Sequence, residues 1–97
     1  MILSRQEVES AIRTLLKKYN ADHAILFGSY ARGEETEDSD IDVIIVGGEK
    51  FHGTDVFASA EDLFEMTNKD VDVYEISEVN KGTEFYNNIM CEGVRIA

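Results

Sequence analysis

The sequence predicts an α/β sandwich, and three observations carry that expectation. Two runs rich in β-branched residues, "IDVIIVG" at 41–47 and "DVDVYEI" at 70–76, have the length and composition of strands. Segments with apolar residues at helical spacing stand before, between and after them. No proline, repeat or low-complexity stretch interrupts the 97 residues, so the order α-β-turn-β-α-β-α is read as a single domain over 1–97.

Each element has its own signal. Ser4 and Glu7 fit a Ser-x-x-Glu capping box, and Leu3 and Val8 fall where a hydrophobic staple would sit. Val8, Ile12, Leu15, Leu16 and Tyr19 then form one apolar stripe, with Asn20 as the exit. "HAILFGS", 23–29, is a short strand broken at Gly28. The run at 41–47 is apolar on both faces beyond Asp42 and ends at Gly47-Gly48, which predicts a central strand. Residues 54–68 are predicted helical, with Thr54 as cap and Phe57, Ala60, Leu63 and Phe64 as the buried face. After the strand at 70–76, a last helix over 83–91 is expected to turn Phe85, Tyr86, Ile89 and Met90 inward and to stop at Gly93. "VRIA" closes the chain as a short fourth strand.

Composition narrows the function classes. A hydrophobic content of 43% suits a globular fold. No apolar run approaches the ~20 residues of a membrane span, and "MILSRQ" lacks the features of a signal peptide, so a cytoplasmic protein is expected. The single Cys91 forms no internal disulfide, in keeping with a reducing compartment. Nine basic against 20 acidic residues give a formal net charge of -11. That balance repels a phosphate backbone and excludes unaided binding of long nucleic acid. It welcomes divalent cations or a basic partner protein, and it also serves plain solubility.

One stretch does not fit a purely structural reading. The strand at 41–47 is entered through Asp40 and Asp42, and just upstream lie Gly28-Ser29 and Arg32-Gly33. Strand side chains two apart point the same way, with Cα atoms roughly 6.6 Å apart. Two carboxylates so placed suit shared divalent ions, since paired catalytic metals sit about 3.5–4 Å apart. Oxygen-only ligands select Mg²⁺ first and Mn²⁺ second. Gly28 and Gly33 allow backbone N–H groups to approach a ligand, Ser29 offers a hydroxyl, and a helical turn at 29–33 would attract phosphate. Arg32 would add charge there. Alone, the Gly-Ser turn is most often just a turn and Asp-x-Asp a solvated strand end; together they point to metal-assisted chemistry on a nucleotide.

"GSYARGEETEDSDIDVIIV" resembles the signature of the polymerase-beta-type nucleotidyltransferase superfamily: Gly-Ser, ten intervening residues, then Asp-x-Asp. Ala31-Arg32-Gly33 and the Ser39 before Asp40 look like its minimal branch, the MNT proteins. The resemblance implies a mixed sheet flanked by helices, in strand order one-two-three. It implies a third carboxylate on the next strand; Asp72 is the first candidate, with Asp70 a rival on the same face. By that analogy Asp40 and Asp42 hold the metals, and Asp72 helps to bind one and draws the proton from the attacking hydroxyl. Gly28 and Ser29, flanked by Arg32 and Ser39, would meet the phosphates of ATP, and attack on the α-phosphate would release pyrophosphate.

Larger members of the superfamily carry a further domain for base and acceptor. Here a partner protein would complete the site, or a homo-oligomer would, or selectivity would be weak. Minimal members pair with a HEPN-type toxin, and the resemblance implies an antitoxin that transfers AMP to a toxin tyrosine. An antitoxin acting by binding alone and an antibiotic-type enzyme acting on a small hydroxyl compound are the alternatives. "EETED", 34–38, reads as a solvated hairpin tip, and neither His23 nor His52 has neighbours at zinc-ligand spacing. Cys91 reads as core or interface, and Phe85, Tyr86 and Met90 as packing in preference to a base-stacking site.

Overall fold

A computed structural model describes residues 3–48, 51, 53–76 and 82–96; His52, weighed above as a zinc ligand, and Ala97, read above in a closing strand, fall outside them. The described elements are α1 (Arg5–Tyr19), β1 (His23–Phe27), α2 (Ser29–Arg32), β2 (Ile41–Val46), α3 (Asp55–Thr67), β3 (Val71–Glu75), α4 (Glu84–Glu92) and β4 (Val94–Ile96). The strands form one mixed sheet in the order β3-β2-β1-β4. β1 pairs antiparallel with β2 and with β4, whereas β3 runs parallel to β2. The strand order one-two-three and the central place of β2 are as expected, and the closing strand is real.

α1 begins where its cap predicts. Ser4 Oγ accepts the Glu7 N–H at 3.2 Å, and its hydroxyl donates to the Glu7 carboxylate at 3.1 Å. Asn20 ends the helix in the left-handed region at φ 55°, a conformation asparagine tolerates. The stripe Val8, Ile12, Leu15 and Leu16 is buried against one face of the sheet, formed by Ala24, Leu26, Ile41, Val43, Ile45 and Ile96, with Val71 and Val73 alongside. Leu63 of α3 joins the same cluster. Tyr30, which had no assigned role, is fully buried there.

The other face is thinner. Ile44 and Ile89 are its buried residues, with Ile25, Phe27, Tyr74, Ile76 and Tyr86 packed around them. No helix among the described residues is long and apolar enough to cross a membrane.

Several expectations need correction. α3 is rotated by about one residue from its predicted phase: Val56, Ser59 and Leu63 are buried, while Phe57 is 79% and Phe64 47% exposed. The apolar arc at 56, 57, 60, 63 and 64 is wider than the contact, which buries Ser59 in place of Phe57. Thr54 occupies the N-cap position but makes no side-chain cap. On α4 only Ile89 is fully buried; Tyr86 is half-buried, and Phe85 and Met90 remain exposed because the face they meet offers so little apolar area. Cys91 is exposed on α4, so it is not core. Gly93 stops α4, yet at φ -67° and not in a left-handed turn. Its lack of a side chain is what matters: a Cβ there would strike Ile25 and the Ile89 carbonyl.

Candidate active site

Register builds the site. Phe27, Asp42 and Asp72 are successive Cα partners across β1, β2 and β3, and therefore share one face of the sheet. It is the thinly covered face, at the end where β1 exits and β2 and β3 enter. Asp42 is half-buried and Asp72 exposed. The Asp42 carboxyl is pushed up to about 6, first by burial, then by the charge of Asp72 and a hydrogen bond with it, and then by Asp40, with Arg32 opposing. The Asp72 charge thus lies close enough to resist ionisation of Asp42.

Gly28 closes against this pair. It sits at φ 75°, and a Cβ on it would land on Asp42 Oδ2, so no other residue brings the turn so near the carboxylate. Ser29 then opens α2, a single turn in which Ala31 and Arg32 donate to the Gly28 carbonyl at 3.1 and 3.2 Å. The turn is held from below by Tyr30, whose hydroxyl donates to the Leu3 carbonyl at 3.0 Å. Tyr30 is a positioning residue that the motif reading passed over; its place directly after Gly-Ser, at a helix spacing that turns it inward, was the available signal.

The remaining candidates are dispersed. Arg32 is exposed and reaches Glu34 at 3.1 Å and Glu92 at 3.5 Å, so its charge is partly engaged while still acting on Asp42. Ser39 braces the loop, its Oγ accepting the Thr36 N–H at 2.7 Å. Asp40 and Asp70 line a cavity of about 250 Å³ together with Glu37, Asp38, Ser39, Phe64, Asn68 and Lys69. Asp72 therefore stands opposite Asp42, while Asp70 keeps company with Asp40. Among the described residues no three acidic, His or Cys side chains are gathered tightly enough to hold an ion. The donor chemistry nevertheless fits a hard divalent cation: half-buried Asp42 faces exposed Asp72, giving an all-oxygen set and a repulsion that a cation would cancel.

Beside the carboxylates lies an aromatic group that sequence reading assigned to packing. Phe27, Tyr74 and Phe85 have ring centroids 6.2, 5.8 and 5.9 Å apart, with Phe85 tilted at 80° to Phe27 and 70° to Tyr74. The Tyr74 hydroxyl is shifted upward by burial and then by the charges of Asp72 and Asp42.

Comparison with known proteins agrees with this geometry. The family profile described as "Polymerase beta, Nucleotidyltransferase" matches residues 10–97. A Methanocaldococcus jannaschii protein provisionally named a protein adenylyltransferase, MJ0435, is 35% identical over 74 residues, covering 76% of this chain and 80% of its own. A toxin-antitoxin crystal structure with AMP-PNP superposes with a TM-score of 0.78 at 23% identity, over 92% of this chain and 72% of that one. A structure of tri-AMPylated Shewanella oneidensis HEPN toxin in complex with MNT antitoxin gives 0.72 at 21% identity, over 96% and 71%. At those identities the two structures speak for the fold alone.

Proposed function

The chain belongs to the polymerase-beta nucleotidyltransferase family, and on that premise we propose that it is a Mg²⁺-dependent adenylyltransferase that moves AMP from ATP to a tyrosine of a HEPN-type toxin and so acts as its antitoxin. The observation that carries the reading is the in-register meeting of Asp42 and Asp72 beside the Gly28-Ser29 turn. AMP as the group moved and a HEPN protein as acceptor rest on the likeness to the complexes and the curated relative.

In the reaction, the Gly28-Ser29 turn receives the β- and γ-phosphates through backbone N–H groups and the Ser29 hydroxyl. Asp42 and Asp72, with Asp40 nearby, would hold a divalent cation, which when bound would supply charge neutralisation at the α-phosphate. The acceptor oxygen approaches the α-phosphorus in line and forms the new P–O bond. The bond to the bridging oxygen breaks, its electron pair leaves with pyrophosphate, and the acceptor proton passes to Asp72. Gly28 keeps the phosphates against Asp42 because nothing larger fits between them.

A protein acceptor is further supported by α3. Phe57 and Phe64, seven residues apart and so on one side of the helix, are exposed there, beside exposed Glu61. An apolar patch with an acidic border on a chain of net charge -11 suits a partner whose apolar surface is rimmed by basic residues. The test is incubation with labelled ATP, Mg²⁺ and the product of the adjacent gene. Label on that protein, lost with Asp42→Asn, is expected. Protection of the cell from the partner without label would give the role to binding alone, and label on an aminoglycoside would give it to small-molecule modification.

A further inference from the structure

We propose that the Phe27–Tyr74–Phe85 cluster is a stacking wall for the base of the bound nucleotide, with Phe85 as its exposed, affinity-determining member. This inference rests on the reading of the neighbouring carboxylates as a nucleotide site. Three placements carry it. First, Phe27 is the direct cross-strand partner of Asp42, and it immediately precedes Gly28. Second, Tyr74 lies two residues beyond Asp72 on the same face, one strand repeat of roughly 6.6 Å further into the sheet. Third, α4 sets the Phe85 ring 5.8 Å from Phe27 and 5.9 Å from Tyr74 while leaving Phe85 44% exposed.

The order along the face is therefore phosphate turn, carboxylate pair, aromatic wall. A nucleotide with its terminal phosphates at Gly28-Ser29 and its α-phosphate at Asp42 and Asp72 continues through its ribose onto that wall. The three rings offer flat apolar area beside the carboxylates, so the wall takes the base of the nucleotide and leaves the anionic part to the turn. Phe85, nearly half exposed beside two other rings, leaves apolar surface for a ligand, while Tyr86 and Ile89 pack on the apolar centre of the face. Stacking is tolerant of base identity, so the wall supplies affinity and does not choose between ATP and GTP.

The experiment compares binding of AMP-PNP and of inorganic tripolyphosphate, each with Mg²⁺, by calorimetry on the intact chain. Phe85→Ala is expected to weaken AMP-PNP by about tenfold and to leave tripolyphosphate unchanged. Phe85→Leu, which keeps apolar bulk and so guards against loss of folding, should lose as much, and Phe85→Tyr should restore binding. Equal loss for both probes would make Phe85 structural. Unchanged binding of both, with loss only of transfer to an acceptor protein, would assign the wall to the acceptor. Either result overturns the inference, as does a native protein that binds tripolyphosphate and AMP-PNP equally well. A native protein that binds neither probe overturns the nucleotidyltransferase reading itself.

Discussion

Asp62 and Asp42 are carboxylates on opposite sides of the same sheet, and their surroundings differ in sign. Asp62 of α3 accepts from Lys18 at 2.7 Å and from Tyr19 at 2.6 Å, tying α3 to the end of α1, and these bonds hold its carboxyl below the usual range. Asp42 faces Asp72 and Asp40, is partly removed from water, and is pushed up. On the α1/α3 side Asp62 is satisfied over a thick apolar core. The α4 side leaves like charges together over a thin one. Such a pair costs stability and is retained where a cation or substrate completes it.

The difference can be tested from its strongest consequence down. Asp42→Asn should reduce nucleotide transfer at least about a hundredfold, measured with labelled ATP, while circular dichroism stays native. Leu63→Ala, on the thick side, should cost about 2–5 kcal/mol in urea unfolding and leave AMP-PNP affinity unchanged where the protein is folded. An equal loss from Ile89→Ala would erase the distinction between the faces. Gly28→Ala should cost about 1 kcal/mol through its left-handed backbone and more in activity, because the new Cβ displaces Asp42.

Acid titration sharpens the comparison further. Asp42, raised from 3.8 to about 6, carries a penalty that is absent below the unfolded value and complete above the folded one. Asp62, lowered from 3.8, contributes stability that is present above that value and lost as pH falls through its folded one. In chelator, the native protein should therefore gain stability between about pH 7 and 5 relative to Asp42→Asn, by about 1 kcal/mol after solvent screening. Parallel melting curves for the two proteins would refute this assignment. The smallest effect belongs to Phe57→Ser, within about 0.5 kcal/mol, since its side chain packs on little of its own chain.

What the sequence made legible follows the same division. The central place of β2 and the α1 stripe were readable because burial on two faces and a 3.6-residue period leave a clear pattern, whereas the strand order one-two-three came only with the family resemblance. The Gly28-Ser29 and Asp40-x-Asp42 spacing was readable because local chemistry demands those residue types. The α3 phase was not, because Val56 and Phe57 both lie on its apolar arc and only tertiary packing chooses between them. Nor was the aromatic wall, since Phe27, Tyr74 and Phe85 are distant in sequence and meet only after the sheet pairs. Tyr30 was hidden by its own motif, which draws attention to the residues that touch ligand and away from the one that holds them.

A last consequence concerns the short turn that carries the chain from α3 into β3. Asn68 leaves α3 in the left-handed region at φ 56°, and the Lys69 N–H is held by Thr67 Oγ1 at 3.3 Å. Whether Asp72 faces Asp42 depends on odd or even count through this turn: one residue deleted or inserted there would swing the carboxylate to the far side and bring Val71 or Val73 into its place. Chain length across those few positions is thus held more tightly than the identity of the residues that fill them.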